Sequence, residues 1–336
     1  DHVVVDRAGE VEPLAHGSGG VQNVIRGEIE QGHGVTVGRA NMTAAMEKST
    51  PADQSALDDL VELLNLEAIE VNIFRGVSPA EHQQRVFGGQ VAGQALVAAA
   101  RTVEPEYAVH SLHAYFLRPG DPTVPILYEV DRIRDGRSFI TRRSVAIQHG
   151  RAIFNLQASF HRPEEGYEHQ RPGPTDLPAP ETLPDFRTRM APYKERLGDY
   201  YERPRPIDLR YVDWNPPDRK DGLPPRQRVW LRANGDLPDD PTLHVCLLTY
   251  ASDMTVLDTS LLPHGGSWHD PDTFMASLDH TMWFHRPFRV DEWLLYDQDS
   301  PSASGGRGFG RGLVFASDGR LVASVVQEGL IRRMHQ

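Results

Sequence analysis

The sequence predicts an α+β protein made of two tandem copies of one unit, each a central helix wrapped by a curved antiparallel sheet. Two short patterns each occur twice, and alternating strands follow both occurrences. They are Phe-x-Arg-Pro at 116–119 and 284–287 and Arg-x-Phe at 137–139 and 307–309. A glutamine, Gln157 or Gln327, then follows the phenylalanine at the same distance. A duplication of this size predicts two copies with a ligand cleft between them.

Composition limits the classes of partner. The chain has 336 residues, which is long enough for two domains with substantial cores. Its net charge of -12 argues against a nucleic-acid partner, because phosphate backbones attract basic surfaces. No apolar run approaches the roughly 18 residues of a membrane-spanning helix. We therefore expect neither a nucleic-acid partner nor a membrane span.

Cysteine and histidine usage bounds the chemistry. The single cysteine, Cys246, rules out an intramolecular disulfide and a cysteine-based metal site. It lies in an apolar stretch, which indicates a small buried residue and is consistent with a cytoplasmic location. His110 and His113 are three residues apart with no carboxylate nearby in sequence. We expect no metal ion and no cofactor.

The first unit is predicted to span residues 56–161. Residues 1–55 show little periodicity, and we expect an N-terminal extension that is disordered. Apolar residues at 57, 60, 61, 64 and 66 then predict a short helix, with Asp53 and Ser55 as capping candidates. The segment 87–100 predicts a second helix, whose small residues allow close approach to a sheet. Strands are predicted at 125–133, 139–147 and 152–160.

Prolines separate the two units. Nine of them fall between Pro163 and Pro206, so residues 162–206 are predicted to be a linker with a short helix near 193–201. The second unit is predicted to span 207–336. Apolar residues step by four and three from Leu243 to Leu261, which predicts its buried helix. Strands are predicted at 227–232, 276–284, 293–297, 308–315 and 321–331.

Three polar residues of the second unit are candidates for chemistry. Asp253 falls at or inside the apolar stripe of the helix, where a carboxylate needs donors; it is either a base or a helix-edge residue reaching solvent. Gln327 continues the apolar face of the last strand and therefore needs hydrogen-bond partners. Ser277 starts the strand that contains His280, which we interpret as a cross-strand hydrogen bonder. No Gly-x-Ser-x-Gly elbow is present.

Several blocks together resemble the bacterial acyl-CoA thioesterase II family over roughly residues 57–334. The blocks are Val86–Leu96, His110–Asp121, Tyr250–Asp253, Asp279–Phe288 and Val326–Gly329. The resemblance implies a double hot-dog fold, in which two helix-in-sheet units form a pseudo-dimer. It also implies hydrolysis of acyl-CoA to free fatty acid and CoA. Hot-dog sheets commonly pair, so a homo-oligomer, dimeric or tetrameric, is expected.

The resemblance also implies site residues. The acid, hydroxyl and amide of the family fall on Asp253, Ser277 and Gln327, where many members have threonine in place of Ser277. These groups would direct a water molecule at the thioester carbonyl. Backbone N–H groups at Gly88, Gly89 and Gln90 would hold the developing oxyanion, since a helix begins there. His110 lies in a family-like block and is expected to support substrate binding.

Two other classes of function remain open on the residues alone. A hydratase or dehydratase of the same fold also uses an acidic residue, but relies on an Asp-His pair on the helix side, and no histidine adjoins Asp253. A non-catalytic acyl-CoA binding protein would have lost the acid from both copies. The first copy has Gln90 or Gln94 on its helix, whereas the second keeps Asp253, which favours catalysis.

Overall fold

The computed structural model describes residues 50–79, 85–267, 270 and 272–334. Within these residues, thirteen strands form one antiparallel sheet, which encloses two central helices. By its internal contacts the chain divides into a segment Asp1–Ala45 and a segment Met46–Gln336. The segment Asp1–Ala45 lies outside the described residues, and Met46–Gln336 contains both predicted units. The predicted disorder of residues 1–55 therefore falls mostly outside the part that the structure describes.

The first described helix starts earlier than the sequence predicted. Helix α1, Pro51–Leu64, begins at a capping box formed by Thr50. The Thr50 hydroxyl accepts from the Asp53 N–H at 3.2 Å, and the Asp53 carboxylate accepts from the Thr50 N–H at 3.3 Å. The predicted cap was thus wrong, because Asp53 is the third helical residue and Thr50 is the cap. Ordered structure begins ahead of residue 56.

The helix and the three strands predicted for the first unit are present as α2 Gly88–Ala100, β4 Ile126–Asp135, β5 Phe139–Gln148 and β6 Arg151–His161. The structure also contains β1 Glu67–Glu70, β2 Ile73–Gly76 and β3 Ala108–Phe116, whose bounds were not predicted. Alternation drives the strands, since Phe154, Leu156, Ala158 and Phe160 are buried on one face of β6. The strands run in the spatial order β1-β2-β4-β5-β6-β3. Nearly all of α2 is buried against them.

Short helical turns occupy the proline-rich linker. They are a 3-10 helix Pro180–Thr182, α3 Phe186–Met190, a 3-10 helix Ala191–Tyr193, α4 Lys194–Leu197 and α5 Asp199–Glu202. The last two coincide with the short helix predicted near 193–201. Prolines keep the earlier elements short, whereas α4 and α5 are separated at Gly198, whose φ is 52°.

The second unit repeats the arrangement. Its elements are β7 Ile207–Tyr211, β8 Arg226–Ala233, α6 Pro241–Ser252, 3-10 helices Val256–Ser260 and Leu262–His264, β9 Thr273–Ser277, β10 Asp279–Phe284, β11 Leu294–Ser304, β12 Arg307–Ala316 and β13 Leu321–Arg333. The predicted strand at 276–284 is two strands separated at Leu278. The predicted helical stripe is broken as well, because α6 ends at Ser252 and 3-10 turns follow. Met254 is consequently exposed.

The two units join through their strands and helices. Strand β3 pairs with β10 so that His113 lies opposite Thr281, which continues the sheet from one copy to the other. Glycine lets α2 lie against α6: a Cβ on Gly89 would be 2.3 Å from the Tyr250 carbonyl oxygen, and one on Gly93 3.3 Å from that of Cys246. The helices therefore run antiparallel, with the N-terminus of α2 against the C-terminus of α6.

The segment Pro241–His264 is long and apolar enough to cross a membrane by length and composition, but 72% of its most apolar stretch is buried. Cys246 is wholly buried there, as predicted. The segment therefore forms the core helix α6 of the second unit and the 3-10 turns that follow it.

Candidate active site

A carboxylate closes the end of helix α6. Asp253 is the C-terminal capping residue of α6 and is only partly exposed. Its Oδ1 accepts hydrogen bonds from Gln327 Nε2 at 2.8 Å and from Ser277 Oγ at 3.2 Å. The backbone N–H of Gly89 faces the same carboxylate and lowers its pKa. The sequence placed Asp253 within a longer helix. Its position at the cap lets the carboxylate turn toward the strands.

The hydroxyl and the amide come from two adjoining strands. Ser277 is the last residue of β9, which pairs with β13 so that Ser277 lies opposite Gly329. Gln327 lies on β13 and is 1% exposed. Gln327 Nε2 donates to Ser277 Oγ at 2.8 Å, so each of the three groups contacts the other two. Three separate elements therefore bring Asp253, Ser277 and Gln327 together.

Burial makes Asp253 a stronger base than an exposed aspartate. Desolvation raises the pKa of Asp253, while the charge of His280 and the hydrogen bonds from Gln327, Ser277 and Gly89 act in the opposite direction. A second carboxyl, Asp258, lines the same cavity, and burial followed by the charge of Asp253 raises its pKa to about 7. A carboxylate whose pKa is raised is suited to accept a proton.

The first turn of α2 faces Asp253 without a side-chain cap of its own. Its N-cap, Phe87, makes no capping hydrogen bond. A Cβ at position 88 would stand 2.7 Å from Asp253 Oδ2, so the approach requires Gly88. The N–H groups of such a turn attract negative charge. The Gln90 side chain faces another way, since Nε2 donates to the Val77 carbonyl and to Ser78 Oγ, both at 3.1 Å.

His280 was placed correctly as a cross-strand hydrogen bonder, but the sequence did not connect it to the site. It is wholly buried, with Nδ1 2.7 Å from Gln327 Oε1 and Nε2 2.8 Å from Ser252 Oγ. The alternation of buried and exposed residues along β10 could have indicated this connection. His280 shares the inward face of β10 with Met282, and a buried imidazole there needs partners on both nitrogens.

The structure does not bring His110 to this site. Its Nε2 lies 2.8 Å from Ser159 Oγ, and its ring packs edge-on against Phe139 and His161. It is not among the described residues that line the cavity around Asp253. Its position in a motif had suggested a substrate contact, whereas its side chain contacts residues of β5 and β6 in the first unit.

A large cavity opens onto the three polar groups. Its volume is about 2510 Å³, and it extends from Asp253 past apolar side chains to α1 and the linker helices. Among the apolar lining residues are Phe116, Leu257, Leu278 and Leu330. A space of this size and lining suits a long, flexible, partly apolar ligand. Within residues 50–79, 85–267, 270 and 272–334, no group of three or more His, Cys, Asp or Glu side chains is placed to hold a metal ion.

Comparisons with known proteins agree with this geometry. Residues 216–330 match the family described as acyl-CoA thioesterase, and residues 77–161 match the acyl-CoA thioesterase N-terminal domain. Human acyl-coenzyme A thioesterase 8 is 42% identical over 80% of this chain and 88% of its own. Acyl-CoA thioesterase 2 of Haemophilus influenzae is 41% identical over 82% of this chain and 98% of its own. This chain belongs to the acyl-CoA thioesterase family.

Solved structures give the same result for this thioesterase. Acyl-CoA thioesterase II TesB2 from Mycobacterium marinum superimposes with a TM-score of 0.67 at 46% identity, covering 82% of this chain and 98% of that one. A protein of hot-dog fold from Alicyclobacillus acidocaldarius gives a TM-score of 0.66 at 20% identity, covering 82% of this chain and 98% of that one, and shares the fold. The predictions of the thioesterase II family, of a hydrolase and of a double hot-dog fold are confirmed.

Proposed function

We propose that this thioesterase hydrolyses fatty acyl-CoA to free fatty acid and CoA by direct attack of a water molecule that Asp253, Ser277 and Gln327 orient. One observation carries the proposal. The carboxylate, the hydroxyl and the amide lie within 3.2 Å of one another at the wall of a cavity large enough for a lipid chain. The acyl chain would lie along its apolar side chains, which exclude water from the thioester.

The reaction needs no covalent intermediate, because a thiolate is a good leaving group. Asp253 takes a proton from water while the water oxygen bonds to the thioester carbonyl carbon. The C–S bond then breaks, and the departing sulfur takes the proton back from Asp253. One water and one acyl-CoA thus give one fatty acid and one free thiol. Ser277 and Gln327 direct the water oxygen toward the carbonyl carbon.

The first copy contributes the oxyanion donors in this proposal. The uncapped turn at Gly88, Gly89 and Gln90 begins α2 and lies beside Asp253 of the second copy. Its N–H groups carry partial positive charge where the carbonyl oxygen becomes negative. The Gly89 N–H faces Asp253 and lowers the pKa of its carboxyl, so the neighbouring N–H groups of the turn are assigned to the substrate oxygen. Both copies therefore serve one site.

A thiol-release assay tests the proposal. The wild-type chain is incubated with saturated acyl-CoAs of increasing chain length, and free CoA is measured with a thiol reagent. A hydratase or a binding protein would release none. Asp253→Asn keeps the shape of the residue but removes the base, and we expect kcat to fall by about 10³-fold. Thermal unfolding and acyl-CoA binding serve as controls. Near-normal turnover in this variant would refute the assignment of Asp253 as the base.

We also propose a cytoplasmic homo-oligomer, dimeric or tetrameric. Cys246 is a free, wholly buried thiol, which suits a reducing compartment. Tyr115 on β3 and Trp283 on β10 are 59% and 37% exposed on the outside of the sheet, where a second copy could cover them. Sedimentation of the chain as a monomer would contradict the proposed oligomer. Recovery of the chain outside the cytoplasmic fraction would contradict the proposed location.

A further inference from the structure

The orientation of one amide decides whether the site can form. Gln327 presents NH₂ to Asp253 and Ser277, and both contacts are 2.8 Å long. A primary amide has nearly the same shape when turned over. Turned over, its carbonyl oxygen would face the Asp253 carboxylate, and the two acceptors would repel each other. Gln327 could then neither hold Asp253 nor direct a water molecule.

His280 selects between these two orientations. Its Nδ1 lies 2.7 Å from Gln327 Oε1. An amide oxygen can only accept, so this contact fits the tautomer that carries a hydrogen on Nδ1, in which Nε2 accepts from the Ser252 hydroxyl. The same hydrogen would point at an NH₂ group if Gln327 were turned over, and donor would face donor. The imidazole therefore favours the orientation that the site requires.

The imidazole is itself held in place. His280 is wholly buried, and its Nε2 lies 2.8 Å from Ser252 Oγ. Ser252 is fixed in turn, because it lies in the last turn of α6 and its carbonyl accepts from the Tyr296 hydroxyl at 3.2 Å. Ser252 directly precedes Asp253. A continuous series of hydrogen bonds thus runs from the end of α6 through β10 to β13.

We propose that His280 is a positioning residue, which acts through Gln327 by holding its NH₂ group toward Asp253 and Ser277. This inference rests on the proposed water-attack function, and His280 touches neither the water nor the thioester. The first copy supplies a natural contrast. Leu112 lies four residues before Phe116, as His280 lies four residues before Phe284, and Leu112 is equally buried.

Three substitutions separate positioning from packing. His280→Asn keeps an N–H donor near the position of Nδ1. His280→Gln moves the N–H donor toward the position of Nε2 and Ser252. His280→Leu introduces the leucine that the first copy has at the equivalent position. We expect His280→Asn to keep kcat within about threefold of wild type, and the other two to lose about 10- to 100-fold with KM little changed. Equal losses in all three, or no loss in any, would overturn the proposal.

A double-mutant cycle gives the second readout. If His280 acts through Gln327, His280→Leu lowers kcat in the wild-type background but adds no loss to Gln327→Ala. Full additivity of the two losses would overturn the positioning role. If His280→Leu does not fold, His280→Gln takes its place in the cycle. Activity retained by Asp253→Asn would refute the water-attack site, whereas an additive cycle in an Asp253-dependent enzyme would refute only the role of His280.

Discussion

The two ends at which the central helices meet differ in chemistry, although the copies share one architecture. At the end that forms the site, α2 begins without a side-chain cap and α6 ends at Asp253. At the other end, α2 closes with Arg101 in the capping position, and Asp240 caps the start of α6 by accepting from the Thr242 N–H at 2.9 Å. Arg101 donates to Asn65 Oδ1 at 2.7 Å and to the Leu66 carbonyl. The second end is therefore closed by its own side chains.

The strands repeat this contrast. His113 lies opposite Thr281 where β3 meets β10. Each of them lies three residues before the phenylalanine of the repeated Phe-x-Arg-Pro pattern, so the two are equivalent positions of the two copies. Leu112 is then equivalent to His280. The residue opposite Leu112 is Ala158, whereas continuation of the β10 register places Gln327 opposite His280. The buried polar residues His280 and Gln327 therefore have apolar counterparts in the first copy, Leu112 and Ala158. Duplication built a two-fold cleft, and one of its two ends kept the buried polar groups that chemistry requires.

The largest effect that tests this comparison concerns the two repeated glutamines. Gln327→Ala removes the donor to Asp253 and Ser277, and we expect kcat to fall by about 100-fold. Gln157→Ala is the matched control, since Gln157 is exposed on β6, and its activity should stay within about twofold of wild type. Steady-state thiol release measures both. A loss in Gln157→Ala as large as in Gln327→Ala would show that both copies carry a working site.

These glutamines also show where sequence reasoning stops. Their equal spacing from a phenylalanine predicted equivalent positions, but the structure places them on opposite faces. Gln157 lies opposite His113, whereas Val326 lies opposite the equivalent Thr281. The β5–β6 turn is His149-Gly150, while four residues, 317–320, join β12 to β13. A slip of one residue reverses every side chain, and spacing along the chain does not reveal it.

The helix end could not be predicted for a related reason. Apolar residues recur at three and four along the chain from Leu243 to Leu261, and that spacing suits an α-helix and a series of 3-10 turns alike. The structure changes from one to the other after Ser252. Strand alternation and the helix predicted at 87–100 were recognisable from residue type and pattern, whereas the set Asp253, Ser277 and Gln327 followed from the resemblance to the family. The distances between these three side chains depend on how distant strands and helices pack together, and no local sequence pattern reveals that packing.

A pH profile gives a smaller effect at the same site. Asp253 must be ionised to act as a base, so kcat/KM falls as pH drops through its pKa, which burial raises. The hydrogen bond from Ser277 lowers this pKa, so Ser277→Ala should move the acidic limb to higher pH. Asp258 lines the same cavity with its pKa raised to about 7 by burial and by the charge of Asp253, so the limb reports the coupled titration of the two carboxyls.

Ser159→Ala is the matched control for that profile, because Ser159 is bonded to His110 in the first copy. Its acidic limb should coincide with that of the wild type when kcat/KM is measured across the acidic range. A shift of the Ser277→Ala limb to lower pH would contradict the assignment, since the lost hydrogen bond stabilises the ionised form of Asp253.

The smallest effect concerns the closed end of the helix pair. Asp240→Ala removes the cap of α6 and should lower the free energy of unfolding by about 1 kcal/mol, because the Thr242 and Leu243 N–H groups lose their acceptor. Asp239→Ala is the neighbouring control and removes only an exposed ion pair with Arg289. Denaturant unfolding measures both, and kcat should not change in either. A drop in kcat with Asp240→Ala would mean that the closed end is coupled to the site, because α6 joins the Asp240 cap directly to Asp253.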